Sequence, residues 1–219
     1  MPGGIAEALI ATAFGLGIGA LCYVTPLGWL EKIAYLAWAA ALLGVLSTFT
    51  PLGVGDNGAR RWIVLGGFPF QPLEAAKLGV ILGVSRWLAA NQDRMQDYRV
   101  SMLVPALLAG LPAFALLQQP DYGGAMLIAM FTGVLIFAAG ARLDHLACTA
   151  AAMAPLAIAA MFLREYRVAR LVAFLDPWAD PQGGGYQLVQ SQLAFGAGGW
   201  LGAGFGAGQQ KLFFLPEAH

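Results

Sequence analysis

Glu74 and Lys77 stand three residues apart just behind Pro72, an acid and a base on one face of a helix that the proline would open. Such a pair can hold together where water is scarce, although a helix-end ion pair with no further task has the same pattern. Arg61, beside Trp62 in GARRWIVLGG, is either a cation for an anionic ligand or an interfacial anchor. Asp121 lies in QQPDYGG between two apolar stretches. Ordinary Pro-Asp turn chemistry accounts for it, while the shortness of the connection would also hold its carboxylate near a cationic partner or substrate group. Arg164, Arg167 and Arg170 recur every third residue, which on a helix makes one basic stripe able to neutralise phosphate charge. A solvated helix face or arginines at lipid headgroups would use the same spacing.

Further along, Asp176 and Asp180 each precede a proline and break that helix. Tyr186, Gln187, Gln190 and Ser191 then follow on a short helix, ahead of a glycine-dense run between Gly196 and Gly208 that lets backbone pack closely. Lys211 lacks the Walker glycine spacing before it and has no Ser or Thr after it, so a nucleotide P-loop is not supported. His145 and His219 show no zinc spacing, and Cys22 and Cys148 fall inside apolar stretches, so neither a metal site nor a disulfide framework is read from them.

The elements that must position these residues follow from composition. Of 219 residues, 59% are hydrophobic and 11% charged, and mean hydropathy is +0.68, too little surface charge for a water-soluble globule. Twelve basic and twelve acidic residues cancel, which removes the basic excess expected of a nucleic-acid partner. A membrane protein remains. A spanning helix needs roughly 20 mostly apolar residues. Between Glu7 and Glu31 lie 23 uncharged residues, between Lys32 and Asp56 another 23, and between Arg99 and Asp121 there are 21. These and neighbouring intervals predict six spans, at 5–24, 33–50, 73–90, 102–118, 123–140 and 146–163. The first has neither a basic leader nor a small-residue cleavage pattern and reads as a retained helix. The 30 uncharged residues from Pro181 to Gln210 are rich in glycine and glutamine, which favours a re-entrant or surface-lying structure over another span.

Alternation of the spans puts loops 25–32, 91–101 and 141–145 on one face, and 51–72, 119–122 and the tail from Arg164 on the other. Lys32, Arg94, Arg99 and Arg142 belong to the first set; Arg60, Arg61, Arg164, Arg167, Arg170 and Lys211 belong to the second. Read by the positive-inside rule, the tail would be cytoplasmic. Retention of those cations outside by a bound anion is the alternative, and composition does not choose between them.

The strings GARRWI, QPLEAAKL, QPDYGGA and the long run AFLDPWADPQGGGYQLVQSQLAFGAGGWLGAGFGAGQQKLFFLPEAH, in this order, closely resemble the SEDS family (shape, elongation, division, sporulation; FtsW, RodA and SpoVE). DPWADP and LPEAH resemble the FtsW branch more than the RodA branch. The resemblance implies an all-α polytopic membrane protein, a helical bundle of ten membrane helices with a large extracytoplasmic loop between the seventh and eighth. Residues 1–163 would be helices two to seven and 164–219 most of that loop, with the second set of cations outside.

In activity the resemblance implies a peptidoglycan glycosyltransferase of the bacterial inner membrane at the division septum, polymerising lipid II and releasing undecaprenyl pyrophosphate. An acceptor hydroxyl needs a carboxylate base, and the departing pyrophosphate needs its charge neutralised. Arg61, Lys77, Arg167 and Arg170, with Lys211, are the candidate pyrophosphate contacts or organisers of that pocket, and Glu74 would orient Lys77. Asp121, Gln190, Ser191, Glu217 and His219 are candidates for shaping the cavity or holding sugar. In the family LPEAH is followed by Thr-Asp-Phe, whose aspartate serves as base. That position would lie two residues beyond His219, so the stretch is expected to be truncated at both ends and inactive alone. A divalent ion, Mg or Mn, could assist at the pyrophosphate without a nameable ligand set. The implied partners are a class B penicillin-binding transpeptidase and other division proteins. A lipid II flippase and a non-catalytic scaffold for the transpeptidase are the rival readings.

Overall fold

The computed structural model describes residues 3–56, 59–65, 68–163 and 165–204. Six helices form where the apolar intervals predict them: α1 (Gly3–Val24), α2 (Leu27–Ser47), α3 (Pro72–Ala90), α4 (Val104–Gln118), α5 (Tyr122–Ala138) and α6 (Leu143–Phe162). Two shorter helices follow, α7 (Glu165–Leu175) and α8 (Tyr186–Gly198). By length and composition, Leu27–Ser47, Arg99–Gln118 and Leu143–Phe162 can each cross a membrane, and Thr12–Val24 and Tyr122–Ala138 are shorter apolar helices. Leu107, Leu111, Phe114, Val134 and Phe137 lie exposed on α4 and α5. Helices that keep every backbone bond internal while turning such side chains outward are what a bilayer requires. The fold is an all-α polytopic membrane fold.

The connection 51–72, expected as a loop, carries a small three-stranded antiparallel meander: β1 (Gly53–Asp56), β2 (Ala59–Leu65) and β3 (Phe68–Phe70). Ile63 faces Gly53 on one side and Phe70 on the other and is buried, while Trp62 and Val64 point outward, the period-2 alternation of a half-buried strand.

The chain divides into two compact units, Met1–Ala150 and Ala151–His219. In the first, α3 is the central element and packs on α2, α4 and α5, burying Ala76, Val80, Val84 and Leu88. It lies antiparallel against α2 and comes close to it where it offers glycine. A Cβ on Gly79 would stand 2.8 Å from the Ala41 Cβ, and one on Gly83 would stand 3.3 Å from Trp38. Gly79 and Gly83 form a small-xxx-small pair, which lets helix backbones approach where lipid supplies no hydrophobic drive.

Two indoles repair breaks in the helical ladder. Pro112 lies inside α4 and has no N–H to give Leu108, four residues back; the Trp38 Nε1–H donates to that carbonyl instead, at 2.8 Å. At the widened π turn Arg99–Leu103 ahead of α4, Trp87 Nε1–H donates to the Val100 carbonyl at 3.0 Å.

In the second unit, α7 carries Arg167 and Arg170, whose guanidinium carbons stand 5.6 and 5.8 Å from the Tyr166 ring centroid. The Asp180 carboxylate accepts from the Gly183 and Gly184 amides at 3.0 and 2.8 Å, closing the turn before α8. Gly185 has no alternative there, since a Cβ would collide with the Pro177 carbonyl.

Candidate functional site

Four sequence-predicted residues lie at one end of the first unit, and the helix ends explain why. The antiparallel α2–α3 hairpin brings the C-terminus of α2 beside the start of α3, where a Cβ on Gly44 would stand 3.8 Å from that of Pro72. The α4–α5 turn closes at the same end. There Leu73, in the first turn of α3, touches Gly124, in the first turn of α5, where a Cβ would come within 2.8 Å of the leucine. The charged groups of α3's start and the acid before α5 are thereby held on neighbouring elements.

Glu74 and Lys77 form the expected i,i+3 ion pair at 2.7 Å, with the lysine side chain 21% exposed and the glutamate 60%. The lysine is therefore the sheltered member and the carboxylate the solvated one. Asp121 is the N-cap of α5: its Oδ1 accepts from the Gly124 amide at 3.0 Å, satisfying one of the orphan donors of the first turn. Arg61, on β2, reaches across to the α4–α5 turn, where its Nη2 donates to the Pro120 carbonyl at 2.8 Å and its Nε to the Gln119 carbonyl at 3.4 Å. This cation sits at the C-terminal end of α4, where carbonyls are left without intrahelical partners and the helix dipole favours positive charge.

Sequence reasoning passed over two residues of this corner. Gln119 is buried, and its Nε2 donates to Thr48 Oγ1 at 2.6 Å and to the Val45 carbonyl at 3.1 Å, tying α4's end to α2's end. Thr48, itself buried, passes its own hydroxyl proton toward the Val45 carbonyl at 2.8 Å. The signal was present: a primary amide at the end of an apolar span must find partners or bear a desolvation cost.

The other predicted residues lie elsewhere. Arg167 donates through Nη1 to the Ala160 carbonyl and through Nε to the Tyr166 hydroxyl at 3.2 Å. Ser191 donates to the Gln187 carbonyl at 2.8 Å, and Gln190, one residue before it on α8, is half-buried. These residues and Arg170 belong to the second unit, which also holds a groove of about 540 Å³ whose lining includes Val168, Val172 and Ala173 together with Glu165, Asp176 and Asp180. Arg164, Lys211, Glu217 and His219 lie outside the described residues. Among the described residues no three His, Cys, Asp or Glu side chains come together to hold a metal ion, so no ligands are assigned to Mg or Mn.

A family model described as a cell cycle protein, covering FtsW, RodA and SpoVE, matches residues 4–219. The chain belongs to this FtsW/RodA/SpoVE family. Among its relatives, a probable peptidoglycan glycosyltransferase FtsW of Alcanivorax borkumensis is 38% identical over 212 residues, covering 96% of this chain and 55% of the relative. One so named from Tolumonas auensis is 41% identical over 207 residues, covering 94% and 53%. The chain spans about half the length of the curated relatives it matches. Among solved structures, a peptidoglycan synthase complex described as coordinating polymerization and crosslinking matches with a TM-score of 0.71 at 34% identity, over 91% of this chain and 59% of that one. The rod shape determining protein RodA of Thermus thermophilus matches with a TM-score of 0.55 at 34% identity, over 67% and 48%.

Proposed function

We propose that this chain forms part of a peptidoglycan glycosyltransferase that polymerises lipid II during septal cell-wall synthesis. The observation that carries the reading is the gathering of Arg61, the Glu74–Lys77 pair and Asp121 at one end of the first unit. Relatives of this sequence bear the name probable peptidoglycan glycosyltransferase FtsW, which supports the same reading.

Glycosyl transfer from a lipid-linked donor needs two things of a protein. A base must take the acceptor hydroxyl's proton, and fixed positive charge must meet the pyrophosphate as its bond to the sugar breaks. This chain supplies the second. Lys77, sheltered but reachable, exchanges part of its bond to Glu74 for the pyrophosphate oxygens, and Glu74 keeps the ammonium aimed while the site is empty. Arg61 organises the corner, and Asp121 closes its wall. Arg167 and Arg170, in the second unit, remain candidate cations in their own right. The charged end faces outward from the bacterial inner membrane, and a class B penicillin-binding transpeptidase is the partner, in keeping with the crosslinking named for the related synthase complex.

The test uses the protein at its full natural length with purified lipid II in proteoliposomes. Lys77→Ala should abolish glycan polymer while membrane insertion and helix content persist, and normal polymerisation by that variant would overturn the assignment. Translocation of lipid II by the unsubstituted protein, with no polymer formed, would replace the enzyme by a flippase.

A further inference from the structure

Gln119 joins three elements of the charged corner without carrying charge itself. Its amide nitrogen holds Thr48 and the Val45 carbonyl at the end of α2, and its main-chain oxygen, with that of Pro120, receives the guanidinium of Arg61 from β2. The very next residue is Asp121, fixed by its own cap to Gly124. Side chain and backbone of one residue therefore set where the α4–α5 turn lies relative to α2 and the sheet. In apolar surroundings the amide has no water to fall back on, which makes this arrangement the one that satisfies it.

We propose that Gln119, acting with Thr48, is a positioning residue of the site: it fixes the turn that places Arg61 and Asp121 relative to the Glu74–Lys77 pair. This rests on the glycosyltransferase reading. A displacement of about 1 Å in a catalytic constellation can cost on the order of 100-fold in rate. Arg61, spent on two carbonyls, is then a strap across the turn, and the corner keeps its shape whether or not a ligand is bound.

The variants are Gln119→Met, which keeps the volume and removes the donors, Thr48→Val, which removes the hydroxyl, and Thr48→Ser, which restores it. In the full-length protein, Gln119→Met and Thr48→Val should each lower kcat for lipid II polymerisation by about 10- to 100-fold, with KM changed by less than about twofold. Thr48→Ser should recover most of that loss. Amide exchange at residues 121–125 should rise in the first two variants and return in the third, a readout independent of turnover. Unchanged kcat and unchanged exchange in Gln119→Met would overturn the proposal, as would a loss that Thr48→Ser fails to restore. If the unsubstituted protein forms no polymer, the glycosyltransferase reading fails by itself, and the exchange measurement still decides whether Gln119 fixes the turn.

Discussion

The Trp38–Leu108 hydrogen bond exists because Pro112 cannot make it, and that substitution of one donor for another can be measured. In Trp38→Phe the indole N–H is lost and the Leu108 carbonyl, facing α2 inside the bundle, has no donor at 2.8 Å. A buried acceptor left unsatisfied costs about 1–3 kcal/mol in water-soluble proteins. Interhelical bonds in membranes are weaker, about 0.6 kcal/mol on average and about 1.7 at most, because the dissociated helices find other partners. The smaller phenyl ring adds a packing cost of about 1 kcal/mol. The packing part does not depend on residue 112, but the polar part does: Pro112→Ala gives α4 an N–H of its own for the Leu108 carbonyl. Trp38→Phe should therefore cost about 1 kcal/mol less in the Pro112→Ala background than in the unsubstituted one. Equilibrium unfolding of the four proteins in mixed micelles measures the difference. An equal cost in both backgrounds would refute the idea that the indole replaces the bond proline removes.

Gly79→Val should weaken the α2–α3 hairpin by about 1–3 kcal/mol, since the new Cβ stands 2.8 Å from Ala41, and Ala41→Gly should recover part of it in the same unfolding assay. Gly185→Ala should prevent the turn after Pro177 from closing, read as faster amide exchange at Gly183 and Gly184. Arg142 and Asp144 pair at 2.6 Å with both side chains about half exposed, so Asp144→Asn should leave the thermal midpoint in detergent within error of the unsubstituted protein, at low and high salt alike. A clear fall would show that this loop is held more tightly than a solvated ion pair allows. Glu74→Gln should lower polymerisation less than Lys77→Ala, because it removes the group that aims the cation and leaves the cation itself.

Helix positions were legible because lipid imposes one requirement on every span. A charge-free interval located α5 at 123–140 against Tyr122–Ala138, and bulk apolarity, with charges near the ends, located α3 at 73–90 against Pro72–Ala90; Pro72 suited the first turn of α3, and the Pro-Asp turn at Asp121 preceded α5. The Glu74–Lys77 pair followed from i,i+3 spacing alone. The sheet was not legible by the same means. In ARRWIVL the alternation covers a few residues between two arginines and a glycine pair, and a search tuned to long apolar intervals passes over it. The helix–helix fit was hidden for a different reason: Gly79 and Gly83 are two of 29 glycines, and only the partner helix shows which of them meet a backbone. Gln119 escaped because its partners, Val45 and Thr48, lie more than 70 residues earlier in the chain.

One economy connects these bonds. In a chain with so few polar side chains, many are committed to backbone carbonyls left over by a proline, a π turn or a helix end: Trp38 to Leu108, Trp87 to Val100, Gln119 to Val45, Arg61 to Pro120 and Arg167 to Ala160. Arg61 donates to two carbonyls of the part-buried α4–α5 turn, so an incoming anion that drew it away would have to make up for both bonds. Lys77 stands differently. Its bond is to a carboxylate that is itself 60% exposed, and water can solvate Glu74 as soon as the ammonium turns toward another anion. The cost of recruiting a cation is thus lower at Lys77 than at Arg61. Under the glycosyltransferase proposal, that asymmetry, rather than charge alone, is the reason to assign the diphosphate to the lysine and the wall behind it to the arginine.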